Sequence, residues 1–231
     1  MAAPLSATFR LPFSDRSEAG RLLAGRLQEY TNRPDVLVFA LPRGGVPVAA
    51  EIATALNLPL AVLVVRKLGV PEHEELAMGA VINGGTVYIN RAITAELGIS
   101  ESVIEAVTRQ ETREVARRES LYNRGQPIPE VKEKTVILVD DGVATGASLM
   151  LAAQALHNQG AAQVVLAIPV APAETVKEFS RVADQIVCLA QPYPFVSVGQ
   201  WYEDFHQLTD AEVCRILDQL PAKRPELKSA G

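Results

Sequence analysis

An acidic pair and a glycine-containing turn follow directly on an apolar run in the second half of the chain. The sequence from Val136 to Ser148 is VILVDDGVATGAS, in which Asp140 and Asp141 end a predicted strand and the next residues lead into a predicted helix. Glycines let the backbone turn tightly, and the free amides at a helix start favour a phosphate group. Carboxylates accept hydrogen bonds from the vicinal hydroxyls of a ribose. The segment therefore predicts a site for a sugar phosphate.

The predicted phosphate contacts come from consecutive residues of this turn. The hydroxyls of Thr145 and Ser148 can add donors to the same phosphate oxygens. The turn is not a Walker loop, because no Gly-Lys-Ser/Thr sequence occurs. The alternative is an ordinary strand-to-helix turn whose acids face water. The residues predicted to bind the substrate are Asp140, Asp141, Gly142, Val143, Ala144, Thr145, Gly146, Ala147 and Ser148.

Two basic segments also follow predicted core strands. Arg43, Gly44 and Gly45 lie in LPRGGVP, where backbone amides and one cation can hold a further phosphate. Arg66 and Lys67 end LAVLVVRK, and two cations at a strand end are costly unless an anion lies opposite. The alternatives are a plain glycine turn with a solvated arginine and a strand-end pair that extends into water.

The elements that would position these residues alternate between short apolar runs and helical patterns. Apolar runs of about five residues suit strands that are buried on both faces of a parallel sheet. Helical patterns between them predict an α/β fold, a mainly parallel sheet flanked by helices. The predicted strands are Val36 to Ala40, Leu60 to Val65, Val136 to Val139, Val164 to Ile168 and Ile186 to Leu189, and the helices between them are Val46 to Leu56, Ala147 to Gln159 and Ala173 to Val182.

One interval interrupts this alternation. Ala80 to Ile89 has two apolar arms around Asn-Gly-Gly, which predicts an inserted antiparallel hairpin. A charged helix is predicted next, from Ser102 to Asn123, with Ser102 and Glu105 as its capping box.

The two ends of the chain are expected to form a small unit beside the core. A first helix is predicted from Asp15 to about Tyr30 and a last helix from Asp210 to Leu220. We predict one domain over residues 1–231, with a core at about 34–189, a hood from about 1–14 and 190–220, and a tail at 221–231 whose composition favours disorder.

Composition excludes several classes of protein. The 231 residues have a formal net charge of −5 and interleaved acids and bases, so no extended basic face is available for a nucleic acid. The two cysteines, Cys188 and Cys214, lie too far apart for a disulfide scaffold or a cysteine-based zinc site. No signal sequence or uncharged membrane-length segment is found. We expect a soluble cytoplasmic protein without a polynucleotide or membrane partner.

The segment VILVDDGVATGAS resembles the motif with which type I phosphoribosyltransferases bind 5-phosphoribosyl-1-pyrophosphate (PRPP). LPRGGVP and the Arg-Lys pair resemble the family's pyrophosphate loop and basic pair, and the likeness runs from Leu41 to about Leu189. It implies transfer of ribose 5-phosphate to a nitrogenous base or amine, with release of pyrophosphate. It also implies a homodimer, and a pyrophosphate loop that can contain a cis peptide.

The resemblance implies a role for each site residue. Asp140 and Asp141 would orient the ribose, while Arg43 and Lys67 would stabilise the departing pyrophosphate, and these four form the predicted catalytic set. Mg²⁺ would bind mainly through PRPP oxygens, with the two aspartates as candidate protein ligands. The predicted pyrophosphate-binding residues are Arg43, Gly44, Gly45, Arg66 and Lys67.

Two departures from the family pattern bear on the acceptor. The segment after Gly69, VPEHEELAMGAV, stands where relatives have a mobile lid but contains no Lys or Arg. Ala144 stands where relatives acting on 6-oxopurines have an acid, which disfavours hypoxanthine and guanine and leaves adenine, orotate, uracil or an amine open.

The predicted acceptor-binding residues lie mostly in the aromatic C-terminal segment. Phe195, Trp201 and Tyr202 could stack on a planar base, with Glu75 from the lid segment as a further contact. Packing of the hood core is the alternative for the aromatic side chains. Two rival functions stay open, a PRPP-sensing protein without transfer activity and a Rossmann-like nucleotide binder or phosphate-ester hydrolase.

Overall fold

The computed structural model of the chain describes residues 9–71, 73–126 and 128–220, and the side chains of Glu74 and Glu75 are not described. The predicted tail at 221–231 and the first part of the predicted hood, residues 1–8, lie outside this part. The described strands are β1 (Val36–Ala40), β2 (Leu60–Val62), β3 (Val65–Val70), β4 (His73–Ile82), β5 (Thr86–Ile89), β6 (Thr135–Val139), β7 (Gln163–Val170) and β8 (Gln185–Ala190), and the α-helices are α1 (Arg16–Arg26), α2 (Gly45–Leu56), α3 (Arg91–Glu96), α4 (Glu101–Tyr122), α5 (Ala147–Asn158), α6 (Ala173–Phe179) and α7 (Asp210–Gln219).

A five-stranded parallel sheet in the order β2-β1-β6-β7-β8 forms the centre of the fold. Every residue of β1 and β6 is buried, as expected of strands covered on both faces. The strand order reverses between β1 and β6, so the loops that follow these two strands leave the same edge in opposite directions. Such a crevice is where open α/β sheets bind ligands. The predicted α/β fold is confirmed.

Alternate residues of the central strands belong to two apolar layers. Val36, Val38 and Ala40 pack with α1, α2, α4 and α7 on one face, while Leu37 and Phe39 pack with α5 and α6 on the other. A third, smaller cluster contains Phe13 and Tyr202 with surrounding aromatic residues. Within the described residues, no helix has both the length and the apolar character needed to cross a membrane.

The predicted strand Leu60 to Val65 is wrong in its extent. The chain pairs with β1 only as far as Val62, and from Val65 onward it pairs antiparallel with β4 in a separate sheet. The buried Asn83 side chain joins the two sheets, because its Nδ2 donates to the Val62 carbonyl at 2.9 Å and its Oδ1 accepts from the Val64 amide at 2.5 Å. A side chain distant in sequence thus ends the strand.

The predicted hairpin at Ala80 to Ile89 is confirmed as the end of β4, a tight turn at Asn83–Gly85 in which Gly84 and Gly85 have φ of 73° and 74°, and β5. β3 extends it to a three-stranded antiparallel sheet. The predicted lid segment after Gly69 therefore forms the end of β3 and most of β4, a hairpin rather than an open loop.

Helix ends differ from prediction where capping geometry decides them. α4 begins one residue early, after Ser100, so the predicted capping box of Ser102 and Glu105 is wrong, and Ser102 lies inside the first turn. A capping box does form at α7, where Thr209 and Glu212 exchange side-chain and backbone hydrogen bonds at 3.2 and 2.8 Å. Asp15 caps α1 as predicted, but that helix ends at Arg26.

We predict that Asn83→Ala lowers the free energy of unfolding by about 1–3 kcal/mol, because the Val64 amide loses its partner, whereas the Val62 carbonyl keeps a hydrogen bond from Asn123 Nδ2 at 3.1 Å. Urea denaturation measures the change. Asn158→Ala, at an exposed asparagine of α5, is the control and should stay within about 0.5 kcal/mol of wild type. Equal effects of the two substitutions would contradict the role of Asn83.

Candidate active site

The loops after β1 and β6 lie against each other at the point where the strand order reverses. The amide of Leu41 donates to the Val139 carbonyl at 2.9 Å. A Cβ atom at Gly44 would overlap the Asp141 carboxylate, and one at Gly45 would lie 2.7 Å from the Val139 carbonyl oxygen. Larger residues would push the loops apart, so these glycines set the contact between the predicted pyrophosphate loop and the acidic pair.

The pyrophosphate loop contains a cis peptide bond between Pro42 and Arg43, which confirms that such a bond occurs in this loop. It does not fall at a glycine. The loop continues directly into α2, for which Gly44 is the N-cap.

The turn after the acidic pair presents unpaired backbone amides. Among the residues that the structure describes, none accepts a hydrogen bond from the amides of residues 144–149. The next amide, that of Met150, donates to the Gly146 carbonyl at 2.9 Å. Ala144, Thr145 and Ser148 are exposed. Several donors at a helix start thus face solvent, which is the arrangement that binds a phosphate. We call residues 144–149 the phosphate cradle.

Packing behind the cradle fixes its shape. Gly146 has φ of 72°, and a Cβ there would lie 2.5 Å from the ring of Phe179 in α6. The Val143 amide donates to the Val170 carbonyl at 3.0 Å, so Val143 supports the turn instead of offering its amide to a ligand. The Thr175 hydroxyl donates to the Ala144 carbonyl at 2.7 Å.

The acidic pair is partly buried at the end of β6. Burial raises the pKa of Asp140 well above its ordinary value, and the negative charge of Asp141 raises it further. Burial also raises the pKa of Asp141, although Arg16 opposes this with a hydrogen bond and its charge. Asp140 Oδ1 accepts the Asp141 amide at 2.9 Å, which fixes the orientation of the first carboxylate.

Arg16 contacts the acidic pair, and the sequence interpretation missed it. Its Nε donates to Asp141 Oδ2 at 2.7 Å, its Nη1 donates to the His206 carbonyl at 3.1 Å, and its guanidinium lies 4.0 Å from the centre of the Phe205 ring. The side chain is nearly buried. One signal was present, because a cation in the first turn of a helix opposes the helix dipole and needs a partner elsewhere.

The predicted basic residues occupy three different environments. Arg43 lies 3.9 Å from Asp210 at the start of α7. Arg66 pairs with Glu111 of α4 at 2.6 Å and is directed away from the cradle. Lys67 is exposed and faces the same side as its cross-strand partner Ala80, which lines a groove against α5. Lys67 therefore lies on the side of the sheet that faces α5, the helix that follows the cradle.

The aromatic residues of the hood divide into enclosed and exposed members. Tyr202 is buried, stacks on Phe205 with ring centres 5.1 Å apart, and donates its hydroxyl to the Asp141 carbonyl at 2.5 Å. Burial raises the pKa of Tyr202. This placement favours the packing alternative for Tyr202.

Phe195 and Trp201 are half-buried, with ring centres 6.2 Å apart, and Tyr193 beside them is 94% exposed. The Glu75 backbone lies in β4, and its side chain is outside the described part.

The carboxylates fit a magnesium ion only together with ligand oxygens. Among the described residues, no group of three or more His, Cys, Asp or Glu side chains could hold a metal ion. Arg16 occupies one oxygen of Asp141, and the Asp141 amide occupies one oxygen of Asp140. The second oxygen of each carboxylate suits Mg²⁺, which usually binds one or two carboxylates together with substrate phosphates.

The fold is that of an α/β protein with a candidate phosphate site, and the comparisons identify the family. A family model described as phosphoribosyl transferase domain matches residues 16–198. A Mycobacterium tuberculosis protein provisionally named a phosphoribosyl transferase is 44% identical over 207 residues, which cover 90% of this chain and 46% of that protein. The chain thus spans just under half the length of the curated relatives it matches.

Among solved structures, TT1426 from Thermus thermophilus is 39% identical, covering 90% of this chain and 98% of that one, with a TM-score of 0.79. The chain belongs to the type I phosphoribosyltransferase family.

We predict that Asp140→Asn raises the free energy of unfolding at pH 7 by about 1 kcal/mol. The pKa of Asp140 is higher in the folded protein than in the unfolded chain, so the unfolded chain loses the Asp140 proton first as the pH rises. Ionisation therefore favours unfolding of the wild type above the pKa of the unfolded chain. Asparagine keeps the oxygen that accepts the Asp141 amide and avoids this loss. Denaturation from pH 3 to 8 should show a gain that vanishes at the acid end.

Asp35→Asn provides a control of opposite sign, because Arg33 lowers the pKa of Asp35. Asp35 is half exposed, so solvent screens the pair and only a small destabilisation is expected above the unfolded pKa. A loss of stability at pH 7 in Asp140→Asn would contradict the assigned burial.

Proposed function

We propose that this protein binds PRPP with Mg²⁺ and transfers its ribose 5-phosphate group to a nitrogenous base or amine, releasing pyrophosphate. The observation that carries the proposal is the row of amides at residues 144–149 without a partner in the described part of the chain, directly after two partly buried carboxylates at the reversal of the sheet. The family membership supports the general reaction.

In this assignment each part of PRPP has its own protein partners. The cradle amides and the hydroxyls of Thr145 and Ser148 bind the 5-phosphate. Asp140 and Asp141 accept hydrogen bonds from the ribose hydroxyls, and the pyrophosphate lies over the loop at Arg43, with Lys67 on the same side. The bound Mg²⁺ would neutralise charge on the pyrophosphate and favour its departure.

The acidic pair contributes to the chemistry through charge and position. As the bond from ribose C1 to the pyrophosphate oxygen breaks, positive charge develops on the sugar, and nearby carboxylates stabilise it. Arg16 holds the Asp141 carboxylate at one oxygen and leaves the other for the ribose. Because Arg16 also contacts the hood at His206 and Phe205, it couples the ribose site to the expected acceptor side.

We place the acceptor against the hood surface formed by Phe195 and Trp201, with Tyr193 at its edge. An aromatic surface stacks on planar heterocycles without selecting one. The exposed Ala144 offers no acid for a 6-oxopurine, so hypoxanthine and guanine stay disfavoured. We also propose a homodimer, which sedimentation would test.

A second candidate is a PRPP-binding protein without transfer activity. The hairpin in the lid position favours it, because its segment after Gly69 contains no Lys or Arg that could close over the pyrophosphate. The two candidates share the ligand and differ in turnover.

The test is pyrophosphate release from PRPP and Mg²⁺ with a panel of adenine, orotate, uracil, hypoxanthine, guanine and small amines. We expect release with at least one acceptor, and a loss of about 100-fold or more in Ser148→Asp, since the new carboxylate repels the 5-phosphate. Ser102→Asp is a matched control, because Ser102 occupies the same second position of α4 and is exposed.

The outcomes separate the candidates. Tight PRPP binding that Ser148→Asp abolishes, without release for any acceptor, would establish the non-catalytic alternative. Binding of other phosphate esters or dinucleotides but not of PRPP would support the third class, a nucleotide binder or hydrolase, and reject the proposal.

A further inference from the structure

An open groove of about 730 Å³ lies between β3 and α4, apart from the cradle. It contains four arginines, Arg66 from β3 and Arg109, Arg113 and Arg117 from α4, together with Glu111 and Glu114. We call these six residues the arginine groove. Their formal charge is +2, whereas the net charge of the chain is −5. The groove is therefore a positive surface on a negatively charged protein.

The arginines of α4 form one stripe along the helix. Arg109, Arg113 and Arg117 are spaced by four residues and therefore project from the same face. Like charges at this spacing destabilise a helix by a few tenths of a kcal/mol per pair. Helix stability does not explain such a stripe, whereas an anion between the guanidinium groups would remove the repulsion.

The acids in the groove neutralise two of the four arginines. Glu111 pairs with Arg66 at 2.6 Å, and Glu114 pairs with Arg117 at 2.9 Å and with Arg118. The arginines lower the pKa of Glu114 to about 2, so it is ionised at neutral pH. Arg109 and Arg113 are exposed and have no ion pair among the residues the structure describes.

One end of the groove approaches the pyrophosphate loop through Asp210. Its two carboxylate oxygens lie 3.9 Å from Arg43 and 3.8 Å from Arg117. The Tyr122 hydroxyl donates to the same carboxylate at 2.6 Å and holds it in place. Arg43 and Arg117 are therefore neighbours across a single acid, which separates the predicted substrate site from the groove.

The dimensions and donors indicate the chemistry of a ligand. The stripe from Arg109 to Arg117 covers about 12 Å along the helix, longer than a single phosphate. Guanidinium groups match phosphate oxygens in a bidentate manner. We propose that the arginine groove binds a small molecule that carries two or more linked phosphates.

The linked phosphates have two possible sources. They can belong to a separate ligand, or to the pyrophosphate of a substrate whose sugar lies in the cradle, since Arg43 and Arg117 are neighbours across Asp210. The binding chemistry is the same in both cases, and the experiment distinguishes them by blocking the cradle.

The experiment titrates sodium tripolyphosphate into the full-length protein by calorimetry at low ionic strength, in the Ser148→Asp background. The groove variant adds Arg109→Gln and Arg113→Gln to the Ser148→Asp parent. It should bind tripolyphosphate at least about tenfold more weakly than the parent, because two charge-assisted phosphate contacts are lost. Glutamine is a good helix former and removes like-charge repulsion, so α4 should stay folded. Added NaCl should weaken the binding of tripolyphosphate by the Ser148→Asp parent.

The matched control replaces Arg181 and Arg215 by glutamine in the same background, two arginines that are likewise exposed and have no ion pair within the described ranges. It removes the same charge and should bind like the parent. A second titration uses PRPP and Mg²⁺ with proteins whose Ser148 is intact, and it tests the source of the phosphates. Weaker PRPP binding in Arg109→Gln/Arg113→Gln than in wild type assigns the groove to the substrate's pyrophosphate. Unchanged PRPP binding assigns it to a separate ligand.

Equal tripolyphosphate binding by the parent and the groove variant would overturn the proposal. An equal loss in the control would also overturn it, since net charge alone would then explain the binding. A change in sedimentation without a change in tripolyphosphate binding would show instead that the stripe contacts another protein chain.

Discussion

The buried contact between Arg16 and Asp141 is the constraint around which the site is built. Two carboxylates at the end of one strand are partly buried, and this burial raises the pKa of both. An ionised carboxylate can accept hydrogen bonds at both oxygens, and one cation opposes the cost of burying its charge. That cation comes from the first turn of α1, far from the acidic pair in sequence.

The Arg16 side chain also connects the start of α1 to the segment at Phe205 and His206. Arg16 reaches the His206 carbonyl and the Phe205 ring, and the Phe13 amide donates to the Trp201 carbonyl at 2.8 Å. Tyr202 completes the connection by donating to the backbone of Asp141. The segments around Phe13 and Tyr202 therefore meet beside the acidic pair, while α7 packs on the main core with α2 and α4.

Local signals were sufficient to predict much of the fold and the cradle. Continuous apolar runs predicted β1, β6, β7 and β8, and the glycines after the acidic pair predicted the turn from β6 into α5. Contacts between distant segments were beyond such signals. The end of β2 depends on Asn83, and the surroundings of Arg66 depend on Glu111, so neither follows from the residues next to it in the chain. Arg16 was missed for the same reason.

A crystal structure of the full chain with PRPP and Mg²⁺ would test the assignment of the ribose site. We expect the 5-phosphate within hydrogen-bonding distance of the amides of residues 144–149, the ribose hydroxyls on Asp140 and Asp141, and the contact between Arg16 and Asp141 retained. PRPP bound elsewhere, or a phosphate in the cradle whose ribose turns away from both aspartates, would contradict it.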